Sequence, residues 1–126
     1  MTAPVRFPIR FDSLYRVLST AVLLPPSRSF IEIDRDEIRV RMGWAFRASF
    51  PRAAVVAAAE YGRKPLSRGV HGWAGSWLVN GSGKGIVNIT LEPRQRAYLA
   101  MGIPVELRNL LVSVADPGSV IAVLRS

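Results

Sequence analysis

The chain has 126 residues, enough for one domain with one continuous core and too few for two ordinary ones. Hydrophobic residues make up 49% and charged residues 21%, a globular balance that excludes wholesale disorder; the lack of cysteine excludes disulfides, thiolate nucleophiles and cysteine-based zinc sites. A formal net charge of +8, carried by basic residues of which all but Lys64 and Lys84 are arginine, attracts nucleic acid, anionic lipid headgroups or an acidic partner.

Residues 1–28 read as a lead-in with a short helix of its own. Asp12 and Ser13 can cap it, Leu14, Val17, Leu18 and Ala21 share one helical face, and Pro25 with Pro26 ends it. The opening MTAPVRFPIRF puts arginine and proline where a secretory signal needs an apolar core, and no apolar run approaches the roughly 20 residues that span a bilayer. A cytoplasmic protein, free or peripheral at a membrane, is expected. SFIEIDRDEIRVRM then alternates, with Ile31 and Ile33 before a polar turn at Asp34 to Asp36 and Ile38, Val40 and Met42 after it, so a β-hairpin with one buried face is predicted. Phe46, Ala48 and Phe50 continue in phase as a third strand that Pro51 closes.

RAAVVAAAEY is ambiguous between helix and strand; the Val55-Val56 pair argues for a strand. Residues 62–72 read as a basic loop. SWLV and GIVNITL flank Asn80-Gly81-Ser82-Gly83-Lys84, which reads as a hairpin turn with Lys84 at its tip. Tyr98 and Ala100 suggest a further strand before Gly102, and Val105 to Val114 a long one with Leu107, Leu110, Val112 and Val114 as core. Asp116-Pro117 supplies an N-cap and a first-turn proline for a terminal helix whose apolar face is Val120, Ile121 and Leu124.

The tail Val112-Ser113-Val114-Ala115-Asp116-Pro117 resembles the strand, S-x-x-D-P and capping-helix ending of bacterial PH-like domains. The pieces Gly43-Trp44-Ala45-Phe46, Gly72-Trp73 and Trp77-Leu78-Val79-Asn80-Gly81-Ser82 are similar to a group of small actinobacterial proteins of that kind. The resemblance implies a mainly β fold with a C-terminal helix: a PH-like barrel of about seven antiparallel strands over residues 29–126, capped by the helix after the 1–28 lead-in. It also implies that Val120, Ile121 and Leu124 plug one end. Lipid-binding members carry a basic residue, a spacer and R-x-R, which Arg28, ten residues and Arg39-Val40-Arg41 match loosely. The turn Asp34-Arg35-Asp36-Glu37 is mostly acidic, however, where those members place cations, and any solvated strand face rich in arginine produces R-x-R by alternation.

Catalytic and nucleotide motifs fail on spacing. A phosphate loop needs G-x-x-x-x-G-K-[ST], but around Gly83-Lys84 the first glycine position is Leu78 and the hydroxyl position is Gly85. Gly81, Gly83 and Gly85 are spaced G-x-G-x-G and lead into a strand, not a dinucleotide-binding helix. His71 is the only histidine, and the scattered acids offer it no metal-ligand spacing. Asn80-Gly81-Ser82 and Asn88-Ile89-Thr90 are glycosylation sequons by pattern alone. Trp77 is assigned to the interior and Trp73 to an exposed contact.

The reading that results is a non-catalytic binding or scaffold module without cofactor or metal, engaging a protein, a peptide or an anionic surface such as a lipid membrane. Its candidate contacts are Arg39, Arg41 and Arg47 on a strand face, Arg63, Lys64, Arg68 and Lys84 on loops, and Trp73. The alternatives are a small-ligand carrier or enzyme with a pocket inside the barrel, and nucleic-acid binding.

Overall fold

Alternation of apolar and polar residues builds the first half of the sheet in the computed structural model, which describes residues 4–9, 29–43, 45–61, 69–73, 76–80 and 85–125. β1 (Val5–Pro8), β2 (Ser29–Ile33), β3 (Glu37–Met42) and β4 (Phe46–Pro51) form an antiparallel meander. The isoleucines and phenylalanines of β2 to β4 that share a phase, Ile31, Ile33, Ile38, Phe46 and Phe50, are buried on one side together with Val40, Met42 and Ala48. Asp34 closes the β2–β3 turn: its backbone N–H donates to the Glu37 carbonyl (2.8 Å) and its carboxylate accepts the Arg35 N–H (2.7 Å). The edge strand β1 lies within what the sequence reads as lead-in.

After Pro51 a single 3-10 turn, Arg52–Ala54, redirects the chain into β5 (Val55–Glu60). The alanines therefore lie in a strand; their helix propensity loses to pairing with β8 (Ile86–Leu99). β8 organises the sheet. Its first half pairs with β5, its last residues with β4, and much of its length with β9 (Pro104–Ser113). The β8–β9 register slips between Thr90 and Gln95, around Pro93, which has no N–H for a regular ladder. Asn88 lies mid-strand between Ala59 and Leu111, so its sequon is not on a loop.

β6 (Gly69–Trp73) and β7 (Ser76–Asn80) pair with each other, and β7 runs parallel to β9 with Trp77 opposite Leu110 and Val79 opposite Val112. This corrects the hairpin expected around Asn80 to Lys84, because β9 lies between β7 and β8. β9 anchors β7 on this side: Val79, opposite Val112, is fully buried, and the Trp77 indole N–H donates to the Glu106 carbonyl (3.1 Å). Gly69 to Gly72 of the expected basic loop lie in β6, and the rest of that stretch lies outside the described residues.

The strand order is β1-β2-β3-β4-β8-β9-β7-β6, with β5 beside β8. The fold is thus mainly β with one C-terminal helix, on an open nine-stranded sheet that contains a parallel pair, where about seven antiparallel strands in a closed barrel were expected. A single isolated bridge from Ile9 to Val114 brings the β1 edge against the end of β9.

The terminal helix α1 (Pro117–Arg125) begins as expected. The Asp116 carboxylate accepts the Ser119 hydroxyl (2.6 Å) and the Ser119 backbone N–H (3.1 Å), and both bonds hold its pKa below the ordinary aspartate value. Val120 and Leu124 are buried over β5 and β8 with Ile121 half-buried beside them, and full burial of such a side chain contributes about 1.5–3 kcal/mol. The expected N-terminal helix lies outside the described residues, and among the described residues no helix is long and apolar enough to cross a membrane.

Candidate functional site

Two neighbouring rows of side chains cross the outer face of the sheet, set by strand register. One row runs Arg6, Glu32, Arg39, Ser49 across β1 to β4. The other runs Phe30, Arg41, Arg47, Tyr98 across β2, β3, β4 and β8. They have opposite electrostatic characters.

The first row is neutralised. Glu32 accepts from Arg39 (2.6 Å) and from Arg6 (2.7 Å), and its side chain is only 12% exposed. Hydrogen bonds from Arg39 first and Arg6 second hold its carboxyl below the ordinary glutamate range, and Glu32 in turn raises the pKa of Arg39. Arg39 also reaches Glu37 (3.4 Å), which accepts the Ser49 hydroxyl. Arg39, the first of the arginines singled out in the sequence, is therefore engaged within the fold.

The second row keeps its charge. Arg41 donates to the Gly43 carbonyl (3.0 Å), and the Arg47 guanidinium lies over the Tyr98 ring at 5.0 Å. At the far end, Arg6 covers the Phe30 ring at 4.0 Å. Arg96, two residues before Tyr98 on the same outer face, joins this group. Among the described residues no carboxylate lies within ion-pair distance of Arg41, Arg47 or Arg96. Together with Phe30, Ser49 and Tyr98 these arginines line an open depression of about 440 Å³. The aromatic rings hold guanidiniums at fixed positions, which lowers the ordering cost of a bidentate contact to a carboxylate or phosphate.

The structure thus brings together Arg39, Arg41 and Arg47 and adds Phe30, Arg96 and Tyr98. The alternation in Arg94-Gln95-Arg96-Ala97-Tyr98 was the available signal for the last two. Their position beside β4 depends on a long-range pairing that no local pattern encodes. Trp73 lies in β6, with three strands between it and β4 in the sheet order, so it is not part of this patch. Arg63, Lys64, Arg68 and Lys84 lie outside the described residues. Trp77 is half-buried against the core, on the side expected of it. Among the described residues no group of acids and histidines could hold a metal ion.

No protein-family model, no curated protein and no solved structure matches this chain.

Proposed function

We propose that the chain is a non-catalytic, PH-like binding module that engages an anionic partner through the outer face of β3, β4 and β8. One observation carries this reading: Arg41, Arg47 and Arg96 line one depression and pair with no carboxylate among the described residues, while Arg39, which lines it too, is held by Glu32 and Glu37. A face meant only for solvation gains nothing from placing Arg41 directly opposite Arg47, since like charges at paired positions repel. The inner face is filled by buried apolar side chains, which favours a scaffold over a carrier with an internal pocket.

A second reading, single-stranded nucleic acid, draws on the register: two aromatics flank two arginines across adjacent strands, as base-stacking platforms do. Both rings already carry a guanidinium, which leaves less ring surface for bases and favours a contact through charged oxygens.

The test is elution from phosphocellulose. Replacing Arg41 and Arg47 by Gln should lower the eluting salt concentration more than replacing Arg35 and Arg125, which removes the same charge elsewhere. Equal shifts would reduce the face to a share of the net charge. A salt titration against single-stranded DNA addresses the second reading.

A further inference from the structure

Beyond the arginine row the chain turns from β8 into β9 through Ala100, Met101 and Gly102, and this turn is unlike the rest of the surface. Met101 is 99% exposed and Ile103 54%. Met101 also has φ +63°, a left-handed conformation that costs a side chain with a Cβ about 1 kcal/mol and that glycine or asparagine would adopt more easily. From Ala97 to Val105 there is no charged residue, in a chain where charged residues make up 21%. Local preference and solvation both oppose a fully exposed methionine at this place.

The turn and the arginines are joined by register. Arg47 is opposite Tyr98, Tyr98 is opposite Pro104, and the Leu99 N–H donates to the Ile103 carbonyl (2.8 Å). β8 ends at Leu99, one residue beyond Tyr98, so the turn that carries Met101 follows directly on the arginine row. An apolar tip is thus set at the end of a cationic face.

We infer that the partner is an anionic lipid bilayer: Met101 and Ile103 insert between acyl chains while Arg41, Arg47 and Arg96 hold headgroup oxygens. This rests on the anion-binding reading above and adds the lipid to it. Charge complementarity selects the membrane: a soluble acidic ligand would satisfy the arginines and leave the tip in water, whereas a bilayer presents anionic oxygens and hydrocarbon within a few ångströms of each other.

Because the chain has no cysteine, Met101→Cys carries a single environment-sensitive label, and Ala122→Cys on the exposed face of α1 is the control. With phosphatidylglycerol vesicles the label at 101 should brighten and shift to shorter wavelength, the label at 122 should not, and phosphatidylcholine vesicles should change neither. Met101→Ser combined with Ile103→Ser should weaken vesicle co-sedimentation about tenfold while phosphocellulose elution stays unchanged.

Co-sedimentation without a spectral change at 101 would overturn insertion and leave the anion-binding reading intact. Absence of vesicle binding, with the phosphocellulose difference preserved, would overturn the lipid partner alone. A spectral change that follows protein concentration without vesicles would assign the tip to a second copy of the chain and overturn the inference. Loss of the phosphocellulose difference itself would remove the underlying reading.

Discussion

Arg41 and Arg47 stand directly opposite each other on adjacent antiparallel strands, two cations at one paired position. The Gly43 carbonyl and the Tyr98 ring each relieve one of them, but their mutual repulsion remains. Arg47→Glu turns the pair into one of opposite charge. It should stabilise the fold by about 0.5 kcal/mol and in the same variant weaken anion binding. Thermal melting and phosphocellulose elution check both signs. A fall in melting temperature would identify Arg47 as a structural residue instead.

Arg96 separates binding from stability in a second way. It has no ion pair among the described residues, and it is exposed on the rim of the depression. Arg96→Ala should therefore change stability by no more than about 0.5 kcal/mol while weakening binding to anionic vesicles at low salt. The deficit should shrink as added salt screens the interaction, over a Debye length of about 8 Å at physiological ionic strength. A deficit independent of salt would contradict an electrostatic role.

Much of this arrangement could be read in the sequence, up to a limit set by the range of the interactions. Period-two alternation in Ile31 to Phe50 is local, and it gave β2, β3 and β4 with the correct buried face, as Asp116-Pro117 gave the start of α1. Arg41 and Arg47 followed from the same alternation. Local pattern could not show that β7 would leave β8 for a parallel place beside β9, because Val79 and Trp77 find their partners about 30 residues away. Glu32 meets Arg39 across the β2–β3 hairpin, which the alternation does encode, but Arg6 shares that carboxylate only through the β1–β2 pairing, which no local pattern shows. The glycine-rich stretch after β7 misled for the same reason: turn chemistry shows that the chain bends without saying which strand it returns to.

Glu32 links the neutral row to pH. Its folded pKa lies below the ordinary value of 4.5 because Arg39 and Arg6 bond the ionised form. The unfolded chain therefore takes up the proton first, so the stabilisation is complete above that ordinary value and is lost as pH falls through the folded pKa. Glu32→Gln should lower the melting temperature at neutral pH, with the difference from the parent narrowing in acid. The substitution also frees Arg6 and leaves Arg39 to Glu37, so phosphocellulose elution should move to higher salt. Unchanged elution would mean that Arg6 remains engaged without Glu32.

Arg52 couples the helix to the sheet. Its guanidinium donates to the Val123 carbonyl near the end of α1 and to the Asp34 carbonyl in the β2–β3 turn (3.2 Å), while its backbone N–H donates to the Asp36 carbonyl (2.9 Å). The last carbonyls of a helix have no partner within it, and a cation there also meets the negative end of the helix dipole. Arg52→Ala should cost about 1–3 kcal/mol, since it leaves two carbonyls short of a charged donor. The amides of Val120 to Leu124 and of the Asp34–Glu37 turn should then exchange faster together, with the arginine face and its anion binding unaffected. Faster exchange in α1 alone, with the turn unchanged, would show that helix packing through Val120 and Leu124 is independent of the Arg52 bridge.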